Sequence, residues 1–195
     1  MSATYCLFHA WLAKCRGKIV AGKDRTVIYS GIDSGGVPLY KRLAEHEKFL
    51  RDEYGVDPKW QPIESVLRNL TVDWKTHQGA LEFPKPVLVL RNLWDFAVNA
   101  GQADRTLTTQ ESQQIWKNLS AWYVKNATGK IYIFEGDKLK KYPDMLLAEI
   151  PVVLKNKNIK MSAATEAKMI KLIPDSQAAW DRYRADTAKG REAGR

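Results

Sequence analysis

The clearest local signal in the sequence is a helix start at Thr108-Thr-Gln-Glu111. In this capping-box pattern the Thr hydroxyl and the Glu carboxylate each accept a hydrogen bond from a backbone N–H group that the first helical turn leaves unpaired. We expect the helix to run to about Asn126, with Gly129 just past its end. The inward-facing side chains at helical spacing are Ile115, Leu119, Trp122 and Tyr123. The next segment, Lys130-Ile-Tyr-Ile-Phe134, has the composition of a strand, and Gly136-Asp137 ends it.

Helices and strands alternate along the rest of the chain. Arg25-Thr-Val-Ile-Tyr-Ser30 predicts a strand, and the glycine-rich run after it predicts a turn. Helices are predicted over residues 1–24 with an end near Gly17, and over Pro38–Tyr54, Pro62–Leu70, Val87–Ala100 and 163–188. Met145–Leu154 is an apolar segment, and Asn158–Ser162 predicts a further strand.

This order of elements predicts an α/β fold, because strands separated by helices pair side by side while the helices cover the sheet. We expect a helix-rich N-terminal half and a small, mostly parallel sheet flanked by helices in the C-terminal half. The chain of 195 residues has the length of one domain, so residues 1–195 are expected to form a single unit, with 189–195 as a frayed tail.

The formal net charge of +9 favours anionic partners such as nucleotides, nucleic acid or anionic lipid. The basic residues are scattered from Lys14 to Arg195, and no block of five or more occurs. A solvated basic surface is therefore favoured over a nucleic-acid footprint.

Two cysteines, Cys6 and Cys15, lie in the first segment and cannot form a disulfide framework across a core. They favour a reducing compartment, either the cytoplasm or the cytoplasm of a target cell into which the chain is delivered. No run approaches the roughly 18 apolar residues of a membrane span. The apolar run Tyr5–Ala13 lacks a cleavage site of small residues, so we interpret it as a helix and not as a signal peptide.

Three side chains stand out as candidates for chemistry. Glu149 lies among apolar residues, Glu64 lies on a short predicted helix, and Trp116 lies one residue off the inward stripe of its helix. Each has an ordinary interpretation: an exposed strand face for Glu149, a solvated helix face for Glu64, and a core or rim position for Trp116.

Together these residues resemble a known constellation. Residues 115–127 (IWKNLSAWYVKNA), the strand after them and Ala148-Glu149-Ile150 resemble the carboxy-terminal half of the ADP-ribosyl cyclase and NAD glycohydrolase family, including its toxin-like microbial relatives. Ile63-Glu64-Ser-Val-Leu67 is similar to the family's Leu-Glu-Asp-Thr segment, and Tyr29-Ser30-Gly31 to its turn, which is Trp-Ser or, particularly in the microbial relatives, Tyr-Ser-Gly. The matches span roughly residues 25–162 in the family's order.

The resemblance implies a hydrolase that uses NAD or NADP as its substrate and needs no cofactor or metal. Glu149, in a short Val-Glu-Val-type segment, would stabilise the cationic ribosyl centre, and Trp116 would stack on nicotinamide. Glu64 would bind the carboxamide or position the nucleophile. The pyrophosphate would be bound by Ser30, Gly31 and Ser120, whereas a stacking role for Tyr29 stays open. The resemblance also leaves open an inhibitory partner protein.

The sequence departs from the family pattern in three ways. It lacks the disulfides of the extracellular animal members, and Tyr29 replaces the family's Trp. The segment between Glu64 and Trp116 is long, and Trp74 or Trp94 could rebuild part of the pocket.

The main alternative is a basic nucleic-acid-binding or nuclease-like module, in which Trp60, Trp74 or Trp94 would stack on bases. Its weakness is that His9, His46 and His77 are isolated and have no metal-ligand spacing. A third interpretation is an interaction domain that has kept the fold without the activity. The acids Asp33 and Asp104 fit solvated loops better than a pocket lining.

Overall fold

A computed structural model of the chain describes residues 15–55, 58–70, 107–138 and 144–192, together with residues 5, 6, 9, 12 and 13. Its strands are β1 (Thr26–Ser30), β2 (Gly129–Glu135) and β3 (Ile159–Lys160). Its helices are α1 (Leu39–Tyr54), α2 (Ile63–Asn69), α3 (Thr109–Lys125), α4 (Ile150–Val153) and α5 (Ala163–Glu192), with a π-helical turn at Met145–Glu149. The helix predicted over Val87–Ala100 lies outside the described residues.

The sheet has the order β1-β2-β3, and both strand pairs are parallel. Thr26 pairs with Ile131 and Ser30 with Glu135, so β1 and β2 run side by side over five residues. Helices lie on both sides of this sheet, which confirms the predicted α/β fold class. Such placement buries both faces of a parallel sheet and explains the apolar runs in β1 and β2.

Helix α3 begins with the predicted capping box. The backbone N–H of Glu111 donates to Thr108 Oγ1 at 3.1 Å, and the N–H of Thr108 donates to Glu111 Oε2 at 2.9 Å. Three of the four residues of the predicted inward stripe, Ile115, Leu119 and Tyr123, are fully buried. The fourth, Trp122, is only partly buried, and two cations lie over its ring. The guanidinium of Arg16 lies 5.1 Å and the ammonium of Lys125 4.3 Å from the ring centroid.

The hydroxyl of Tyr123 forms hydrogen bonds at the edge of β1 that faces away from β2. It accepts a hydrogen bond from the backbone N–H of Val27 at 2.9 Å. It also lies 2.6 Å from the carbonyl oxygen of Gln61, to which it donates. Gln61 itself donates from its backbone N–H to the carbonyl of Arg25 at 2.7 Å. Helix α3, strand β1 and the segment before α2 are therefore fixed to one another by a single phenol.

Helix α1 is a surface helix, as predicted, and buries only Leu43 and Glu47. His46 and Phe49, which belong to its apolar stripe, are exposed and stack on each other with centroids 6.4 Å apart. The helix ends at Gly55, whose φ of 60° places it in the left-handed region that suits a glycine cap.

The segment around Glu149 is helical, so the half-buried strand of its ordinary interpretation is wrong. Met, Leu, Ala and Glu all have high helix propensity, and Met145–Glu149 forms a π-helical turn that runs directly into α4. In this turn the N–H of Ile150 donates to the carbonyl of Met145, five residues earlier. The equivalent partner of the Leu146 carbonyl would be Pro151, which has no N–H. Instead, Ser176 Oγ of α5 donates to that carbonyl at 2.6 Å.

The remaining predictions for the C-terminal part hold with shifted bounds. The strand predicted over Asn158–Ser162 is present as the shorter β3. Helix α5 begins at Ala163 as expected but continues to Glu192. The prediction of a frayed tail is therefore wrong for residues 189–192, which are rich in helix-forming Lys, Arg and Glu.

Candidate functional site

Glu149 ends the π-helical turn and is only 5% exposed. The turn packs against α3 and contacts β1. Burial raises the pKa of the Glu149 carboxyl well above its ordinary range, and the nearby charges of Asp144 and Glu64 act in the same direction. A hydrogen bond from the Ser120 side chain opposes the rise. Within the described part of the chain, the Oε2 atom of Glu149 has no hydrogen-bond partner.

Glu64 lies in the first turn of α2, and its carboxyl is also buried. Burial raises its pKa, whereas the Tyr29 hydroxyl and the positive charge of Arg68 oppose the rise. Burial also raises the pKa of the Tyr29 phenol, and the charges of Glu64 and Glu149 add to that effect. Tyr29 and Glu64 thus lie near each other, yet Tyr29 Oη and Glu64 Oε2 each lack a well-aligned hydrogen bond among the described residues.

Four of the predicted site residues, Glu149, Glu64, Tyr29 and Ser120, therefore lie together. We refer to these four residues as the carboxyl cluster. They come from the π-helical turn, α2, β1 and α3, and the packing of those elements brings them into one buried region. The ordinary interpretation placed Glu149 and Glu64 on exposed faces. The structure instead buries Glu149 and the Oε2 atom of Glu64.

Trp116 lies one helical turn before Ser120 on α3. Residues four apart share one face of a helix, so Trp116 projects from the same side of α3 as the serine that contacts Glu149. Trp116 is partly buried and packs against the core. This placement is compatible with a ring that borders the carboxyl cluster.

Ser30 and Gly31 follow Tyr29 directly, at the carboxyl end of β1. The φ of Gly31 is 97°, and a Cβ atom there would lie 2.5 Å from the carbonyl oxygen of Lys138. The backbone of Ser30 also bonds to the turn after β2, because its carbonyl accepts a hydrogen bond from the N–H of Gly136 at 2.8 Å. The turns after β1 and β2 therefore touch, and ligands of open parallel sheets bind at such carboxyl ends.

Sequence reasoning missed two contributors to the cluster. Asp144 raises the pKa of Glu149, and Tyr123 lies close enough to Glu149 and Glu64 for both charges to raise its own pKa. In the sequence, Tyr123 has the helical spacing of an ordinary core residue. No sequence pattern indicates a role for its hydroxyl. Asp33, by contrast, fits its expected loop role. It accepts from the N–H of Val37 at 2.8 Å and pairs with Arg42 Nε at 2.7 Å.

The carboxyl cluster combines two buried acids with oxygen atoms that have capacity for further hydrogen bonds. A positive charge placed between these acids would favour their ionised forms, since an opposite charge within a few ångströms lowers a carboxyl pKa. The cluster is thus suited to a cationic ligand that carries hydrogen-bond donors. Because Glu149 is 5% exposed, its neighbours must move for a ligand to reach it.

The same burial predicts how folding depends on pH. Between the ordinary glutamate pKa of 4.5 and the raised folded-state pKa of Glu149, the folded chain holds a proton that the unfolded chain has lost. The free energy of unfolding should therefore fall as pH rises through this window, by about 1.4 kcal/mol per pH unit for each such carboxyl. Glu64 shifts in the same direction. Urea unfolding at several pH values from about 5 to 8 measures the slope.

Glu149→Gln should make this slope shallower, because glutamine imitates the neutral carboxyl and does not titrate. Glu135→Gln, at an exposed position at the end of β2, is the matched control. Equal slopes in the parent chain and in Glu149→Gln would show that Glu149 is not protonated in the folded state.

In the part of the chain that the structure describes, no helix has the length and apolar character to cross a membrane. Comparison of the chain with protein-family models, with curated proteins and with solved structures finds no match.

Proposed function

We propose that the chain cleaves the nicotinamide–ribosyl bond of NAD or NADP and releases nicotinamide and the ADP-ribosyl product, with cyclisation as an alternative fate of the ribosyl centre. One observation carries the proposal. Glu149 and Glu64, the two carboxyl groups singled out in the sequence, are buried in one cluster with oxygen atoms that lack partners among the described residues. π-Helical turns, such as the one that ends at Glu149, are frequent at functional sites.

The chemistry needs an anion more than it needs an acid. Nicotinamide leaves the pyridinium as a neutral base, so no proton has to be donated to it. The barrier is the formation of an oxocarbenium-like ribosyl centre, which a carboxylate beneath the sugar stabilises. We assign that role to Glu149. The cationic pyridinium of the substrate would itself lower the pKa of Glu149 and so favour the ionised form that the reaction uses.

The other residues would orient the dinucleotide. Trp116 would stack on the nicotinamide ring, and Glu64 would accept a hydrogen bond from the carboxamide or from the nucleophile. Ser30 and Gly31 would bind the pyrophosphate at the carboxyl end of β1. Ser120 would act mainly through its contact with Glu149, beside any contact with phosphate.

The test is product analysis with the purified full-length chain. Incubation with NAD, and separately with NADP, should release free nicotinamide together with ADP-ribose, its 2′-phosphate or a cyclic product. Chromatography of the mixtures against a reaction without protein measures the release. Intact dinucleotide after prolonged incubation with both substrates would contradict the proposal.

A nucleic-acid-binding module is the second candidate, and one cavity favours it. This cavity of about 880 Å³ is lined by Lys23, Lys130, Lys157 and Lys160 at the amino ends of the strands. Four ammonium groups in one groove suit a phosphate backbone. Binding to a single-stranded oligonucleotide that weakens steeply with rising salt would support this function, whereas binding that is absent or insensitive to salt would not.

For location, we propose a reducing compartment, because Cys6 and Cys15, the chain's two cysteines, are both free thiols. Burial raises the pKa of the Cys15 thiol to about 11, so Cys15 is expected to be unreactive.

A further inference from the structure

A second cavity, of about 360 Å³, lies beside the edge of β1 where Gln61 pairs with Thr26. Its walls include Arg25, Arg51 and Arg68, with Glu47, Trp60 and Gln61 between them. The proposed catalytic chemistry does not use these residues. We refer to this cavity as the arginine pocket.

The arginine pocket has an excess of positive charge. Glu47 is its one acidic lining residue, and its Oε2 atom lies 3.7 Å from an Arg51 nitrogen. Burial raises the pKa of Glu47, whereas the positive charges of Arg51 and Arg25 oppose the rise. Three guanidinium groups therefore line the pocket beside one lining carboxylate, and Arg68 also acts on the charge of Glu64. Guanidinium groups bind phosphate oxygens with paired N–H donors.

The pocket also contains hydrogen-bond donors with nothing to donate to. Among the described residues, the donors Arg25 Nε and Trp60 Nε1 are buried without a hydrogen-bond partner, and so is one acceptor of the pocket, Glu47 Oε1. A buried donor left unpaired is unfavourable, so such groups commonly mark the place of an absent acceptor. A phosphate group supplies several acceptor oxygens at once.

The donors are held in place by their neighbours. An Arg25 terminal nitrogen donates to the carbonyl of Pro58 at 3.2 Å. The Trp60 ring stacks on His46 at 5.4 Å between centroids and meets the edges of Tyr132 and Phe134 at 6.1 and 5.5 Å. Fixed donors lose little conformational freedom when a ligand binds.

We propose that the arginine pocket binds the phosphate or pyrophosphate group of a ligand. The pocket is distinct from the turn at Ser30 and Gly31, because Arg25 precedes β1 and that turn follows it. A strand of five residues separates the two sites by roughly 16 Å at about 3.3 Å per residue. The phosphate could belong to a dinucleotide that extends from the carboxyl cluster, or to a separate ligand. The inference does not depend on the proposed NAD chemistry.

Calorimetric titration of the full chain with inorganic pyrophosphate, at constant ionic strength, tests the proposal. We expect saturable binding with one site per chain. Arg51→Gln and Arg68→Gln should each weaken binding about 10-fold or more, since each removes charge-assisted hydrogen bonds to the anion. Both side chains are exposed at the surface, so the variants should fold, which circular dichroism verifies.

Arg182→Gln is the matched control, because it removes the same charge from an exposed position on α5 outside this pocket. Undetectable pyrophosphate binding to the parent chain would overturn the proposal. So would unchanged binding by Arg51→Gln and Arg68→Gln, or an equal loss in Arg182→Gln.

A competition experiment separates the two sources of the phosphate. NAD is titrated into Glu149→Gln, which should not consume it, with and without saturating pyrophosphate. Weaker NAD binding in the presence of pyrophosphate would assign the pocket to the phosphates of the dinucleotide. Unchanged NAD binding would assign the pocket to a separate phosphate ligand. The same assignment would follow if NAD did not bind while pyrophosphate still did. In each case the pocket remains a phosphate-binding site.

Discussion

Replacing Glu149 with glutamine is expected to lower the rate of nicotinamide release by about 100-fold or more, the scale on which removal of a charge-stabilising group acts in other enzymes. Glutamine has nearly the shape of a protonated glutamate, and burial favours the protonated form of Glu149 in the folded chain without ligand. The variant should therefore fold like the parent and lose only the anion that the ribosyl cation requires. Initial rates at saturating NAD measure the effect on kcat.

The Glu135→Gln variant is the control for this loss as well, because it removes an exposed carboxylate at the end of β2. It should keep the parental rate. A Glu149→Gln enzyme that retains most of its activity would remove Glu149 from the mechanism. The assignment of the remaining cluster residues would then lose its basis.

Replacing Tyr123 with phenylalanine should lower the free energy of unfolding by about 2 to 4 kcal/mol, because the change deletes one hydroxyl and leaves two backbone groups without their partner. The N–H of Val27 would lose the acceptor that it meets at 2.9 Å, and the carbonyl of Gln61 would lose the donor at 2.6 Å. Tyr123 is fully buried, so water cannot easily replace the hydroxyl. Urea denaturation at constant pH measures the loss.

Tyr40→Phe removes the same hydroxyl from a side chain that is 45% exposed, and its effect should stay within about 0.5 kcal/mol. If the two variants had equal stability, the Tyr123 hydroxyl would not be what holds β1 to the segment before α2.

The features that the sequence predicts most accurately are those that depend on a few neighbouring residues. The capping box at Thr108 needs only a few neighbouring residues, and it is present. The strand at 25–30 and the helix at Pro62–Leu70 were placed correctly for the same reason. These signals do not depend on which parts of the chain meet in space.

The segment around Glu149 shows the limit of such reasoning. Residues 146–154 (LLAEIPVVL) are apolar enough for either a buried strand or a buried helix, and a short apolar run does not distinguish the two. The outcome depends on contacts with distant residues, among them the hydrogen bond from Ser176 to the Leu146 carbonyl. The burial of Glu149 follows from that packing, so alternation along a presumed strand favoured the wrong environment.

The arginine pocket could not be found by reading along the chain. Its arginines come from the residue before β1, from the last turn of α1 and from the last turn of α2. Scattered basic residues were correctly expected to be mostly solvated. Only the packing of α1 and α2 beside β1 shows which three basic residues line one pocket.

The π-helical turn has a consequence for the direction in which the Glu149 carboxyl points. Successive residues of an α-helix are rotated by about 100°, so a chain with one residue fewer between Asp144 and Glu149 would point the carboxylate in a different direction while keeping every amino acid of the cluster. In the wider turn, Pro151 leaves the Leu146 carbonyl without a backbone donor, and Ser176 donates to that carbonyl instead. The direction of the Glu149 side chain thus depends on two residues outside the carboxyl cluster. The number of residues in this short segment is constrained together with their types.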